Sequence, residues 1–312
     1  MPKVLITPRS FGKYSQSPYE KLSSAGIELI KNPGGGILSK EQMIQQIKDM
    51  DGVIIGVDPL DLDVLRAAPS LKVVSKYGVG TDNIDLEYCR ANGIELCVTK
   101  NANSDAVADY AFALLLAVAR KVVEIDKAAR SGDWAKRLTV DVSGQKIGIV
   151  GLGAIGRGMV ARAKGFGMEV YAYDSRRDEQ YINYNNIRFL PLKIIMQECD
   201  FVSLHLPLTT QTKHLISADM LGIAKPNLII INTARGGLIN EAALHDALKR
   251  GVILGAGIDA FENEPPRSSP LLRLDNVVLG SHSAASTIGA VDKMSIMAAD
   301  NLIAAFQKRG II

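Results

Sequence analysis

The stretch Ile147-Gly148-Ile149-Val150-Gly151-Leu152-Gly153-Ala154-Ile155-Gly156 constrains the fold of this chain more than any other. An apolar strand stops on a glycine, and a run of helix formers begins three residues later. A Gly-rich chain produces GxGxxG by chance, so the flanking strand and helix give the motif its weight. Gly151 permits a tight turn, Gly153 lets backbone approach a pyrophosphate, and Gly156 lets helix and strand pack closely. A diphosphate would then rest on the N–H groups and positive dipole end of the helix that opens at Ala154 and Ile155. The next strand pattern, Glu169–Tyr173, ends at Asp174, where a carboxylate binds a ribose 2′-hydroxyl. A 2′-phosphate beside it would be repelled by about 4 kcal/mol per charge pair at ~4 Å and an effective dielectric of about 20. The motif therefore predicts NAD rather than NADP, although Arg176 and Arg177 follow directly and pull the other way. A bare strand–helix turn would need the glycines but not the acid.

The rest of the chain repeats strand–helix alternation, which means βαβ units and parallel sheets. Before residue 102 the strand patterns are Lys3–Thr7, Ile27–Ile30, Val53–Gly56, Leu71–Lys76 and Ile94–Thr99. Helix patterns Pro18–Ala25, Lys40–Met50, Asp61–Ala67 and Leu86–Asn92 lie between them, and Ser39 with Gln42 makes a capping box. A long helical pattern, Ser104–Arg130, ends at Ser131-Gly132. A second series follows, with strands Lys146–Val150, Glu169–Tyr173, Phe201–Leu206, Leu228–Asn232, Gly257–Ala260 and Val277–Leu279, and a terminal helix over Ile288–Lys308. The expected fold is α/β, with two doubly wound parallel-sheet domains. A Rossmann NAD-binding domain spans residues 102–285, and a smaller flavodoxin-like substrate domain spans 1–101 and 286–312, with the last helix returning to it.

Composition narrows the function classes. The 36 Lys and Arg against 33 Asp and Glu leave a net charge of +3, which gives no electrostatic reason to expect nucleic acid. The longest apolar run, Tyr110–Ala119, is too short to span a bilayer. The scattered Cys89, Cys97 and Cys199 form no zinc or disulfide pattern, so no metal is expected and a reduced, cytoplasmic setting fits.

Ligands bind outside the carboxyl ends of the strands in an open parallel sheet. Three chemistry-bearing residues have that address: Arg235 after Leu228–Asn232, Glu264 after Gly257–Ala260, and His282 after Val277–Leu279. Singly, each is as well explained as a helix-flanking Arg, a loop Glu or a capping His. Together they are what hydride transfer to a 2-keto acid needs. A guanidinium orients the carboxylate and stabilises charge on the keto oxygen. An imidazole protonates that oxygen, and a carboxylate beside it favours the charged form. Of the other histidines, His245 reads as surface, His214 as loop, and His205 as a strand-end residue packed in the core or beside the cofactor.

These segments resemble the D-isomer-specific 2-hydroxyacid dehydrogenases, most closely their phosphoglycerate-dehydrogenase-like branch. The likeness covers nearly the whole chain. It rests on Tyr77-Gly78-Val79-Gly80-Thr81-Asp82-Asn83-Ile84-Asp85, on Gly151–Gly156 with Asp174, and on His205-Leu206-Pro207-Leu208-Thr209. Asn232-Thr233-Ala234-Arg235-Gly236-Gly237, Gly257–Pro265 and Ser281-His282 complete it. The resemblance implies that Arg235 binds and polarises substrate, Glu264 supports the histidine, and His282 is the acid in reduction. It implies that the N–H groups of Val79 and Gly80 hold the substrate carboxylate. It also implies that His205, Pro207, Thr212, Thr233, Ala234 and Asp259 line the cofactor, with Asp259 near the nicotinamide amide. A homodimer with the Asp105–Arg120 region at its contact, and closure between the domains, are further implications. Two departures stand out: Gly280-Ser281 where Thr-Pro is common, and Lys100-Asn101 where Pro-Gly is common.

The substrate is open. Arg9, Lys76, Lys136 and Arg137 would suit a phosphate or phosphonate if they face it, and Arg9, at a strand's carboxyl end, is the best placed. Two other readings compete. One is an NAD(H)-sensing, corepressor-like protein on the same fold, which the intact Arg235, Glu264 and His282 disfavour. The other is a different nicotinamide enzyme, such as one oxidising formate, with a different loop at Val79 and Gly80.

Overall fold

Short apolar runs separated by capped helices build two parallel sheets. The computed structural model describes residues Met1–Ile312 and divides them into two units, Met1–Asn103 with Ser286–Ile312, and Ser104–Ala285.

The first unit starts β1 (Lys3–Ile6), α1 (Ser17–Ser24), β2 (Glu28–Lys31), α2 (Lys40–Ile47), β3 (Gly52–Ile55), α3 (Leu62–Arg66), β4 (Val73–Lys76), α4 (Leu86–Ala91) and β5 (Glu95–Val98). Its strands are all parallel in the order β2-β1-β3-β4-β5, the flavodoxin-like order. β3 and β4 are buried along their whole length; β3 is an unbroken apolar run, whereas β4 ends in the buried polar residues Ser75 and Lys76. Ser39 and Gln42 form a reciprocal capping box on α2, and the Asp61 and Asp85 carboxylates cap α3 and α4.

The second unit contains α5 (Ser104–Ala119), α6 (Val122–Arg130), β6 (Lys146–Val150), α7 (Ala154–Gly165), β7 (Glu169–Tyr173), α8 (Glu179–Tyr184) and β8 (Arg188–Phe189). It continues with α9 (Leu192–Glu198), β9 (Phe201–Leu204), α10 (Ala218–Gly222), β10 (Ile229–Asn232), α11 (Glu241–Lys249), β11 (Gly255–Ile258) and β12 (Val277–Leu279). These strands are also all parallel, in the order β12-β11-β10-β9-β6-β7-β8. The chain winds in opposite directions on the two sides of the β6/β9 junction, and such a reversal opens a ligand crevice at the carboxyl ends.

The helical pattern Ser104–Arg130 is two helices rather than one. Lys121 breaks it in the left-handed region, at φ 50°. α5 buries Ala108, Ala111, Phe112, Leu115 and Ala119 in the second unit's core, whereas α6 buries no residue. The short elements α8, β8 and α10 have no counterpart in the hydrophobic pattern. α8 buries only Ile182, and one buried residue makes no period.

The last helix, α12 (Ile288–Lys308), belongs to the first unit. Its Ala298, Ala299, Leu302 and Phe306 pack on Val4, Ile6, Ile54 and Val73, covering one face of that sheet. No helix is long and apolar enough to cross a membrane.

Candidate active site

The glycine turn is sterically specified. Gly151 has φ +104°, and a Cβ there would lie 2.7 Å from the His205 carbonyl oxygen; one on Gly156 would lie 1.9 Å from the Gly151 oxygen. Only glycine fits at either place. Gly153, the N-cap of α7, faces open space, so the turn leaves room in front of Ala154 and Ile155. Asp174, just past β7, is tied to this turn. One carboxylate oxygen accepts from the Leu152 N–H at 2.7 Å and the other from the Arg176 N–H at 2.9 Å. The Arg177 guanidinium pairs with Glu179 at 2.7 Å.

The ends of β9 and β10 lie alongside. The His205 ring shares a 2.9 Å hydrogen bond between Nε2 and the Ser203 hydroxyl. Burial pushes its pKa down to about 3, so it is neutral at working pH. Its Nδ1 is buried without a partner, and so is the Thr233 hydroxyl. Buried polar atoms are nearly always satisfied. Two orphans at neighbouring strand ends, beside an open glycine turn, fit a bound dinucleotide that would complete them. The Thr212 hydroxyl donates to the Pro207 carbonyl at 2.7 Å and accepts from the Thr209 N–H at 2.8 Å, which fixes the loop after β9.

Arg235 follows β10 in a turn clamped by one side chain. The Asn232 amide donates to the Arg235 carbonyl at 2.8 Å and accepts from the Ala234 N–H at 3.1 Å. Glu264 follows β11. Its Oε1 accepts from the Phe261 N–H at 3.0 Å, and its Oε2 lies 2.7 Å from His282 Nδ1. Arg235, Glu264 and His282 line one pocket of about 450 Å³ with Leu208, His214 and Phe261.

The charges in this pocket are coupled. The hydrogen bond that His282 donates to Glu264 raises the His282 pKa against the opposing effect of burial. Burial pushes Glu264 up, but the bonds from His282 and the Phe261 N–H, with the positive charges of His282 and Arg235, bring it below its ordinary value. The result is an imidazole biased towards its protonated form beside an ionised carboxylate.

Asp259, expected beside the nicotinamide amide, makes a set of backbone contacts of its own. It is fully buried, and its two carboxylate oxygens accept from the Ser283 N–H at 3.0 Å and the Ala284 N–H at 2.9 Å, while its carbonyl accepts from the His282 N–H. It therefore holds the histidine loop. The departure at Gly280 has the same origin: a Cβ there would lie 2.0 Å from Asp259 Oδ1 and 2.8 Å from the Tyr110 hydroxyl. Asn232 and this role of Asp259 escaped the sequence reading. The one available signal was a polar residue closing an otherwise apolar strand.

The other expected substrate residues lie in the first unit. Arg9 and Val79 are exposed, and Gly80 is half-buried in the same loop as Val79. Lys76 is not the exposed cation its sequence position suggested. It is 5 % exposed, and its ammonium is bound to the Gly56 carbonyl and to Asn83.

The sequence profile of the D-isomer-specific 2-hydroxyacid dehydrogenase NAD-binding domain matches residues 112–284, more than half of the chain. A glyoxylate reductase from Korarchaeum cryptofilum is 44% identical over 282 residues, covering 88% of this chain and 84% of the relative. A Thermus thermophilus crystal structure superposes with a TM-score of 0.89 at 35% identity, covering 98% of this chain and 97% of that one. An NADPH-dependent glyoxylate/hydroxypyruvate reductase from Sinorhizobium meliloti, in complex with NADP and malonate, gives 0.85 at 29% identity, covering 99% and 94%. With these matches on the same chain as the Arg235–Glu264–His282 pocket, the protein belongs to the D-isomer-specific 2-hydroxyacid dehydrogenases, and it is an enzyme of that family with an NAD-binding domain.

Proposed function

We propose that the enzyme reduces glyoxylate, or a 2-keto acid of similar size, with NADH, and runs the reverse oxidation of the hydroxy acid. The 2.7 Å contact between His282 Nδ1 and Glu264, in the pocket that also holds Arg235, carries the proposal. The bound dinucleotide supplies the hydride. Arg235 would stabilise, by hydrogen bonding, the negative charge that reduction builds on the keto oxygen. Because Nδ1 is committed to Glu264, the proton reaches the oxygen from Nε2 of His282. The neutral imidazole left behind takes a proton from solvent, or from the hydroxyl in the reverse direction. In the first unit, the backbone N–H groups of Val79 and Gly80 hold the substrate carboxylate.

The small, unphosphorylated substrate is supported on two sides. The Korarchaeum relative is named for glyoxylate, and the Sinorhizobium one for glyoxylate and hydroxypyruvate. Among the cations that suggested a phosphate, Lys76 is buried in internal bonds, and Arg137 is paired with Asp133 at 2.5 Å and Glu124 at 3.2 Å. Asp174 favours NADH, since a 2′-phosphate would meet its charge. A homodimer is part of the same proposal. Its contact is carried by α6 and the segment after it, where Val122, Val123, Ile125, Trp134 and Leu138 are exposed.

A panel assay tests this reading. Glyoxylate, hydroxypyruvate and phosphohydroxypyruvate would be offered with NADH and with NADPH. Turnover of the first two with NADH, at least tenfold above the phosphorylated acid and above NADPH, is expected. Preference for the phosphorylated acid would overturn the substrate, and preference for NADPH the role of Asp174. NADH binding with no turnover at all would favour a sensing protein.

A further inference from the structure

We propose that Lys76 is a positioning residue, whose buried ammonium holds the loop Tyr77–Asn83 in the shape that offers the Val79 and Gly80 N–H groups to the substrate. This rests on the reading that those two groups bind the substrate carboxylate.

A lysine 5 % exposed is unusual, because an ammonium leaves water only where other groups replace its hydration. Lys76 is the last residue of β4, and its side chain runs beneath the loop that follows. Its Cε lies 3.9 Å from where a Cβ on Gly78 would sit. The ammonium donates to the Gly56 carbonyl and, at 2.8 Å, to Asn83 Oδ1. Asn83 in turn donates to the carbonyls of Gly56 at 3.2 Å and Asp58 at 2.5 Å, and its own carbonyl accepts from the Leu60 N–H at 2.8 Å. The far end of the loop is thus tied to the turn after β3.

The near end is tied separately. The Tyr77 N–H donates to the Ile55 carbonyl at 2.9 Å, and the Gly78 N–H to the Thr99 hydroxyl at 2.9 Å. These anchors fall on either side of Val79 and Gly80, and Val79 is 44 % exposed between them. The turn that Lys76 holds is itself fixed. Asp58, 2 % exposed, accepts from the Leu38 N–H at 2.8 Å and from the Thr7 hydroxyl, and that hydroxyl accepts from the Gly56 N–H at 3.2 Å. One polar chain therefore runs across the carboxyl ends of β1, β3 and β4, and Lys76 connects it to the loop. A lysine whose donors are engaged this way shapes the site without touching the reacting atoms.

Lys76→Met keeps the length of the stem and removes the donors. Lys76→Gln keeps one amide donor. Asn83→Ala cuts the same tie from the other side and serves if Lys76→Met does not fold. The readouts are KM for glyoxylate, kcat, the inhibition constant of oxamate as an unreactive carboxylate of the same size, and NADH affinity by fluorescence. In Lys76→Met, KM and the oxamate constant are expected to rise about tenfold or more, with NADH affinity within twofold of the wild type. Lys76→Gln should lie between, and Asn83→Ala should follow Lys76→Met. Unchanged KM and oxamate binding in folded variants of an active enzyme overturns the assignment alone. A loss confined to kcat or to the folded fraction also overturns it, as a merely structural role. A wild type that binds NADH yet turns over no 2-keto acid overturns the underlying reading, and this assignment with it.

Discussion

His282 adopts φ 55°, a left-handed backbone that an L-residue enters at a cost of order 1–3 kcal/mol. The three hydrogen bonds to Asp259 hold it there, and the Glu264 contact orients the ring. Reduction needs the protonated imidazole. With its pKa raised by Glu264, kcat/KM for glyoxylate should stay high above the ordinary histidine range and fall as pH rises through the raised value; oxidation should show the opposite limb. Glu264→Gln removes the charge that raises it. The alkaline limb of reduction should then move to lower pH, as pH–rate profiles would show, and an unmoved limb would exclude Glu264 as the group that sets the imidazole. His282→Ala should lose about 10²–10⁴ in kcat for reduction while keeping NADH affinity, measured by fluorescence titration. Equal loss of both would make the histidine structural. Arg235, Glu264 and His282 were legible in the sequence because strand ends share one edge of a parallel sheet. The hold of Asp259 on the histidine loop was not legible, because it acts on backbone N–H groups, which leave no trace in residue type. Lys76 was misread because a strand-end lysine reads the same whether its ammonium turns outwards or folds beneath the next loop.

At the scale of elements, all the expected strands appear within a few residues of their patterns, and the fully buried ones, such as β3, are clearest because they are unbroken apolar runs. Besides the short elements α8, β8 and α10, the break at Lys121 was missed, because neither Gly nor Pro marks the turn. It has a consequence for association. α5 buries most of its apolar residues in the core of its own unit, and the dimer proposed above therefore uses α6 and the segment carrying Trp134 and Leu138, which are 88 % and 91 % exposed. Large apolar side chains left this exposed close together in sequence are candidates for an association site. The double variant Trp134→Arg with Leu138→Arg should therefore sediment as a monomer where the wild type sediments as a dimer. A variant that stays dimeric would move the contact elsewhere.

For the molecule as a whole, the decisive feature is that the first unit is built from both ends of the chain, while the second is one continuous segment. The sequence permitted this arrangement without requiring it, because an amphipathic last helix such as α12 fits any open sheet face. The order of synthesis now matters. When the first five strands have left the ribosome, Val4, Ile6, Ile54 and Val73 lack the part of their cover that α12 supplies, because Leu302 and Phe306 have yet to be made. At about 5–20 residues per second, that face waits on the order of tens of seconds, while the continuous segment Ser104–Ala285 emerges. Chains stalled with Ala285 just outside the exit tunnel should resist protease over the second segment and be cut within the first; protection of both would show that the first sheet closes without its helix. A newborn chain of this protein thus carries an oily, unfinished first sheet until its last helix arrives, and it is that sheet that a chaperone would be expected to grip.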